Sequence, residues 1–160
     1  WLFDLADGSL VLRELVAHGK NSGDREASAF SNIEGSHQSS IGLFKAAESY
    51  SGAHGYSLRL DGLEPGFNDL ARQRAIVIHG ADYVEKSWVN KYGRIGRSHG
   101  CPAVDRDVIA KVVDNLKGGQ LVFKYYPDEE WLQASSYLNC DSGNQLAGSL
   151  QANADDASRS

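Results

Sequence analysis

The sequence predicts a mostly β domain with peripheral helices, because short apolar runs dominate its first two thirds and helical spacing comes late. Asp7-Gly8 separates two strand-like runs, residues 1–5 and 9–16, and is typical of a hairpin turn because glycine accepts a positive φ. The clearest helical stripe covers residues 105–117, with Asp105 as its N-cap. Sheet strands should therefore form the core, with helices outside it.

The other elements follow from the same two periodicities. Alternating or continuous apolar runs predict strands at residues 29–33, 54–60, 75–78 and 120–126. Helical spacing predicts two shorter helices at residues 83–91 and 129–138. Residues 39–44 place small side chains before an apolar pair, which fits either a strand edge or a binding segment.

Length and charge bound the functional class. The 160 residues fit one catalytic domain, expected at 1–138, followed by a polar C-terminal tail at 139–160 that we expect to be disordered. With 16 basic and 21 acidic residues, the net charge is −5, and no basic run suits nucleic acid. No apolar stretch reaches the ~20 residues of a membrane span. The chain has no methionine, so we expect a processed or truncated product whose secretory signal was removed.

Two motifs carry the chemistry. The predicted strand 75–78 runs directly into His79-Gly80, and Ser98-His99-Gly100-Cys101 places a thiol on a glycine-containing turn. A thiol needs a base or a positive neighbour to react as a thiolate near neutral pH. Gly100 allows backbone amides to approach a carbonyl oxygen closely, as an oxyanion hole requires. This arrangement predicts a cysteine acyltransferase or amidase.

Four of the five histidines precede glycine, so that pattern alone does not identify the base. His99 is two residues from Cys101, and neighbours in an extended turn point apart, so we expect it to pack or hydrogen-bond beneath the turn. His79 ends a strand and is free to approach from a distant part of the chain. His54 either lines the cleft or is an ordinary surface histidine.

The sequence resembles the murein L,D-transpeptidase catalytic domain family, which is YkuD-like, over residues 1–138. Beyond His79-Gly80 and the Ser98–Cys101 motif, the resemblance rests on five segments: Gly35-Ser36, Ser39–Gly42, His54–Leu60, Gly66–Asp69 and Gly93–Arg97. The spacer from His79 to Cys101 is slightly longer than the commonest family pattern. Pro102-Ala103 also stand where many members have an aliphatic residue followed by Arg or Asn.

The resemblance implies a YkuD-like β-sandwich and a thioester mechanism. Cys101 would attack a peptidoglycan stem peptide, release the terminal D-alanine and transfer the acyl group to an amine. His79 would be the base, oriented by the carbonyl of Gly80, with Ser98, His99 and Gly100 forming the oxyanion loop. The family needs no metal or organic cofactor and is acylated by carbapenems. The implied location is the bacterial envelope, periplasmic or secreted, and we expect a monomer.

Substrate-binding candidates are less specific. Arg94 and Arg97 flank the nucleophile loop and either bind a substrate carboxylate, such as that of diaminopimelate, or form a solvated pair. We prefer them to Arg74 because they share the loop with Cys101. Further candidates are Ser40, His54, Tyr56 and Trp88, the two aromatic residues being cleft walls or, more commonly, core residues.

Other interpretations remain open. The same Cys101–His79 site would serve a peptidoglycan L,D-carboxypeptidase or amidase. A zinc protein using His79, His99 and Cys101 is another, although His99-Gly100-Cys101 is not a usual chelating pair. A wall-binding module without chemistry is a third. Cys101 could also pair with Cys140 in an oxidising compartment, but we interpret Cys140 as an incidental thiol.

Overall fold

The computed structural model describes residues 1–139. Two compact units divide the chain, the first Trp1–Tyr125 and the second beginning at Tyr126. The first unit ends earlier than the catalytic domain expected at residues 1–138, and that boundary stays a prediction. Cys140 and all but the first residue of the expected tail lie outside the described residues.

The first unit contains seven strands in two sheets. A two-stranded sheet pairs β1 with β2, and a five-stranded sheet has the order β6-β5-β4-β3-β7. All pairings are antiparallel except that of β5 with β6, which is parallel. The strands are β1 Leu2–Phe3, β2 Leu10–Leu12, β3 Gly42–Gly52, β4 Gly55–Gly62, β5 Val77–Gly80, β6 Ala103–Val104 and β7 Leu121–Lys124.

Helices are few and short. A 3₁₀ turn at Asp82–Val84 leads into α1, Lys86–Tyr92, between β5 and β6. Helix α2, Ile109–Leu116, follows β6. In the second unit, α3 covers Glu129–Ala134, and the side chain of its N-cap Asp128 accepts a hydrogen bond from the Trp131 amide at 2.9 Å.

The core lies between the long β3–β4 hairpin and α2. Inward side chains of the hairpin are fully buried, and the apolar stripe of α2 packs against them, as does the small hairpin through Leu2 and Leu12. Burying a large apolar side chain stabilises the fold by about 1.5–3 kcal/mol. The hairpin residues are Phe44, Ala46, Leu58 and Leu60, and the helix residues are Ile109, Val112, Val113 and Leu116.

The mostly β class with few helices is confirmed, but a β-sandwich is not. A single curled five-stranded sheet accompanies only the short β1–β2 hairpin. The Asp7-Gly8 hairpin forms as expected, with Leu2 opposite Leu12. No strand forms at residues 29–33, where the chain is a loop that includes turns.

Several element boundaries differ from those predicted, as in the helices expected at residues 83–91 and 129–138, which are Lys86–Tyr92 and Glu129–Ala134. The strand expected at residues 75–78 begins at Val77, because Ala75 has a φ of 53° in the left-handed region and cannot extend the strand. The helix expected from Asp105 begins at Ile109, because residues before it form a turn in which the Val108 amide donates to the Asp105 carbonyl at 3.2 Å. Asp105 caps that turn rather than the helix, accepting from the Asp107 amide at 2.9 Å.

Within residues 1–139, no helix has the length and apolar character needed to cross a membrane.

Candidate active site

His79 lies near the end of β5, an interior strand next to the edge strand β6. Its neighbours in register are Ser57 on β4 and Ala103 on the parallel strand β6. The side chain is buried, and Nδ1 is 3.1 Å from the carbonyl oxygen of Gly80. A neutral imidazole that donates from Nδ1 to this carbonyl has Nε2 available as a proton acceptor.

Two further contacts define the environment of His79. Burial lowers the pKa of its imidazole below the usual value, although the hydrogen bond to Gly80 opposes this shift. The imidazole is therefore neutral at pH 7. The exposed ring of His54 stacks on it, with the two ring centroids 4.6 Å apart. His54 was expected either to line the cleft or to be an ordinary surface histidine, and its role in substrate binding stays a prediction.

Ser98 fastens the turn that carries the nucleophile. Its hydroxyl accepts a hydrogen bond from the Gly100 amide at 3.1 Å and donates one to the Cys101 carbonyl. Gly100 has a φ of 121°, and a Cβ there would meet the Gln38 carbonyl oxygen at 2.8 Å. Only glycine fits this position without strain. The turn is therefore fixed both by side-chain hydrogen bonds and by close backbone packing.

The thiol of Cys101 is half-buried and directed at the residues before β5. Its Sγ is 3.6 Å from the carbonyl oxygen of Ala75, the residue with the left-handed backbone. Burial raises the pKa of the thiol, while the backbone amide of Val77 and the positive charges of Lys124 and Arg74 act in the opposite direction. The protein thus disfavours a thiolate by burial and supports it by nearby donors and charge.

Strand pairing brings the base and the nucleophile into neighbouring positions. The His79 amide donates to the Pro102 carbonyl at 3.3 Å, immediately after Cys101. Among the described residues 1–139, the thiol makes no hydrogen bond to the imidazole. The thiol instead contacts the Ala75 carbonyl, a contact that ionisation of the thiol would break.

Arg74 is an arginine whose charge reaches Cys101, a role that differs from the substrate-carboxylate binding for which Arg94 or Arg97 was preferred. Its guanidinium is partly buried and donates to the Ser31 carbonyl at 2.6 Å, the Ser40 hydroxyl at 2.6 Å, the Ser36 hydroxyl at 3.2 Å and the Gln38 carbonyl at 2.8 Å. The fold returns residue 74, just before strand β5, to the turn of Cys101, and the preference for Arg94 or Arg97 as the binder of a substrate carboxylate stays a prediction.

Ser40 has a structural position rather than a substrate-facing one. It is fully buried, and its hydroxyl donates to the Ser31 carbonyl at 3.0 Å while accepting from Arg74. A substrate cannot reach a side chain in that position, so the expected substrate-binding role is not supported. The preceding Ser39 donates to the Gly100 carbonyl at 3.2 Å and so supports the nucleophile turn.

Arg94 and Arg97 lie together beside an open groove. Arg97 Nη1 is 3.0 Å from both the Gly23 carbonyl oxygen and Asp24 Oδ1, and Arg94 Nη2 is 3.8 Å from the same carboxylate. The groove has a volume of about 380 Å³ and contains Lys20, Trp88, Tyr92, Arg94, Gly96 and Arg97. Trp88 and Tyr92 contact each other with ring centroids 4.5 Å apart. Trp88 is therefore a groove wall and not a core residue.

His99 and Tyr56 are placed differently from expectation. His99 is exposed, with Nε2 3.3 Å from Lys20 Nζ and its ring stacked on His37 at 4.6 Å, so it does not lie beneath the turn. Because it faces Lys20, the three expected zinc ligands do not converge, and no group of metal-ligating side chains occurs within residues 1–139. The Tyr56 hydroxyl donates to Asp114 at 2.9 Å and thus fastens β4 to α2.

Sequence reasoning missed Lys124 at the end of β7. Its ammonium nitrogen is buried and close enough to Cys101 for their charges to interact. The available signal was a lysine within the apolar strand run 121–126. In an edge strand, such a lysine is usually solvated, so the pattern alone gave no reason to place it in the site.

Comparison with known proteins adds one finding. A family profile described as an L,D-transpeptidase catalytic domain, of the YkuD type, matches residues 1–125. No curated protein and no solved structure matches the chain. The matched residues extend from the first hairpin through β7 and include both His79 and Cys101. The chain therefore belongs to the YkuD-type L,D-transpeptidase catalytic domain family.

Proposed function

We propose that this protein is a cysteine L,D-transpeptidase that acts on peptidoglycan stem peptides through a thioester at Cys101. The observation that carries the proposal is the position of a neutral, oriented imidazole on β5 and a thiol in the turn that leads directly into β6, the strand parallel to β5. The family membership supports the same reaction class. The substrate implies work in the bacterial envelope, and all the required groups come from one chain, which fits a monomer.

In the first half-reaction, His79 Nε2 takes the proton from Cys101, and the thiolate attacks the carbonyl carbon of the L-centre residue. The carbonyl electron pair moves to oxygen and then returns, breaking the bond to the terminal D-amino acid. His79 gives its proton to the leaving amine. The products are a free D-amino acid and an acyl thioester on Cys101.

In the second half-reaction, an amine from another stem peptide attacks the thioester. His79 accepts the proton of that amine and returns it to the departing thiolate, which regenerates Cys101. A water molecule in place of the amine would give hydrolysis by the same steps. In both transfer and hydrolysis, the chain supplies His79 as the base and Cys101 as the group that carries the acyl intermediate. No step calls on a metal or organic cofactor.

The oxyanion donor in the nucleophile turn is the Cys101 amide. Pro102 has no amide proton, and the Gly100 amide already donates to Ser98. The roles expected for this loop therefore divide, with Ser98 and Gly100 shaping the turn and Cys101 donating to the oxyanion. His99 contributes to the rim of the turn through Lys20 and His37.

The basic groove is the proposed docking place for the anionic stem peptide. Lys20, Arg94 and Arg97 supply three positive charges against the single Asp24 carboxylate. A substrate carboxylate can replace Asp24 on the planar guanidinium of Arg97. Substituting Arg97→Gln should then raise KM with little change in kcat, since the arginine binds substrate away from the reacting carbonyl.

The test is incubation with purified stem tetrapeptide and an acceptor stem, followed by mass analysis of the products. The expected result is loss of the terminal D-alanine with formation of a cross-linked dimer, abolished in Cys101→Ala and retained in Cys140→Ala. A product whose mass reports addition of water only would identify a carboxypeptidase. Turnover that persists in Cys101→Ala would overturn the proposal.

A second test uses a carbapenem, whose strained carbonyl can acylate an activated cysteine. Intact-mass measurement should show one adduct, absent in Cys101→Ala and slower to form in His79→Ala. A folded protein that takes up no carbapenem, yet is alkylated at Cys101 by iodoacetamide, would have a reactive thiol without an acyl-transfer site.

A further inference from the structure

Within the described residues, the ammonium group of Lys124 is buried without a hydrogen-bond partner. Lys124 ends β7 opposite Gly42 of β3, and its Nζ makes no hydrogen bond within the described residues. It lies 4.2 Å from the centroid of the fully buried Phe44 ring. A cation–π contact of this kind offsets only part of the cost of removing an ammonium from water. A compensating negative charge is therefore expected nearby.

Arg74 is a second cation without a carboxylate partner. Its four hydrogen bonds all go to neutral oxygens, two carbonyls and two hydroxyls. These bonds hold the guanidinium rigidly and leave its charge uncompensated, apart from a long-range interaction with Glu34. Fixed positive charge in a partly buried site has a large effect on any anion that forms there.

Both cations act on the same group. Cys101 packs against the apolar cluster that contains Phe44, the ring that Lys124 faces. Its Sγ contacts the carbonyl of Ala75, the residue that follows Arg74. Charge interactions accordingly connect the thiol with both cations. Tyr83 also interacts with the thiol, but burial raises the pKa of Tyr83 to about 12, so it is neutral at working pH. A thiolate at Cys101 is consequently the anion that would neutralise this surplus positive charge.

We propose that Arg74 and Lys124 form a cationic frame that stabilises the Cys101 thiolate when its proton leaves. Both are positioning residues for the nucleophile, and neither touches substrate. The catalytic importance of the frame rests on the proposed function, whereas its effect on the thiol does not. The chemical step is the loss of a proton from the Cys101 thiol. The sulfur keeps the electron pair of the S–H bond, and the two cations lower the energy of the resulting negative charge.

The frame makes thiol ionisation depend on pH in a recognisable way. Burial lowers the pKa of Lys124 to about 7, while Arg74 stays charged. Between pH 7 and the raised pKa of the thiol, the Lys124–Cys101 pair holds one proton. That proton is either on the amine, which leaves a thiolate, or on the thiol, and the ratio of these two forms does not depend on pH. The thiolate fraction therefore rises to a plateau near pH 7 and rises again only when the second proton leaves.

The experiment measures the iodoacetamide alkylation rate of Cys101 from pH 5 to 11, with Cys140→Ala as background. Wild type should show two steps, and Lys124→Met should show one step at higher pH, with roughly tenfold slower alkylation at pH 7. Lys117→Met is the matched control, because this lysine is exposed and paired with Asp114 at 2.7 Å. It should leave the profile unchanged.

His79→Gln separates this proposal from the proposed function. The step near pH 7 should persist in that variant if Lys124 produces it, even though acyl transfer fails. Loss of the step in His79→Gln but not in Lys124→Met would overturn the frame while leaving the transpeptidase intact. A folded Lys124→Met variant with the wild-type profile would overturn it too.

A second measurement tests the proposal even if the Lys124→Met variant does not fold, because it follows the titration of Lys124 itself. Coupling between two titrating groups is mutual, so ionisation of the thiol must perturb Lys124 as well. In an NMR titration of the lysine amino groups, the Lys124 signal should show a second inflection at high pH, absent in Cys101→Ala. Identical titration curves in the two proteins would overturn the proposal.

Discussion

Ser98→Ala is the substitution that should most clearly reveal how the nucleophile turn is held. The serine hydroxyl bonds both the Gly100 amide and the Cys101 carbonyl, and the side chain is 5% exposed. Alanine removes both bonds and leaves a buried donor and a half-buried acceptor unsatisfied. Each unsatisfied group costs about 1–3 kcal/mol, and the half-buried one recovers part of this from water. The free energy of unfolding should therefore fall by about 2–4 kcal/mol.

The assay is urea unfolding followed by tryptophan fluorescence, which gives the midpoint and the slope for each protein. Ser87→Ala is the matched control, because its hydroxyl bonds the exposed Glu85 carboxylate at 3.1 Å and its loss should cost less than about 0.5 kcal/mol. Carbapenem acylation should also slow about tenfold in Ser98→Ala, since the turn that aims Cys101 is loosened. A Ser98→Ala midpoint equal to that of the control would refute this account of the turn.

Three further outcomes follow from the same geometry. His79→Ala should slow acylation by ~10²–10⁴-fold, measured by intact mass over time, and a rate within threefold of wild type would exclude His79 as the base. Because burial lowers the pKa of His79, the stability that its neutral form gives the fold is complete above pH 6.5 and is lost as the pH falls. The melting temperature of His79→Gln should therefore decline less than that of wild type between pH 6.5 and 5. Parallel curves of melting temperature against pH would contradict this. In Ala75→Gly, the free energy of unfolding measured in urea should stay unchanged or rise by up to ~1 kcal/mol. A left-handed alanine costs ~1–2 kcal/mol, whereas glycine adds ~0.5–1 kcal/mol of unfolded-state entropy. A fall of more than ~1 kcal/mol would show that no strain is stored at Ala75.

The sequence predicted the family better than the strands that carry the candidate site. A histidine ending a buried strand and a thiol on a glycine turn are local signals, and local signals survive folding. The long strand β3 was missed because Lys45-Ala46-Ala47-Glu48 favours a helix and contains a bulge between Ala46 and Ser49. Only pairing with β4 and β7 overrides that preference, and pairing is a tertiary effect.

The charge around the thiol could not be predicted for a related reason. Arg74 and Lys124 are 27 and 23 residues from Cys101 in sequence, and β7, which carries Lys124, is at the opposite edge of the sheet from β6, so only the tertiary fold brings both cations to the thiol. Arg94 and Arg97 are nearer along the chain, yet they turn outward to Asp24 and the groove. Proximity in sequence is a weak guide to electrostatics, because a charge acts through space and its surroundings set its strength.

The parallel pairing of β5 with β6 has a consequence for how this enzyme family can diversify. The segment between them, residues 81–102, leaves the sheet after the base and returns at the nucleophile, carrying the 3₁₀ turn, α1 and much of the groove wall. The pairing of β5 with β6 fixes the spacing of His79 and Cys101. The outer part of residues 81–102 can therefore change in length and composition without changing that spacing. Transplanting residues 85–94 between relatives should therefore alter which stem peptide is accepted without rebuilding the reaction centre.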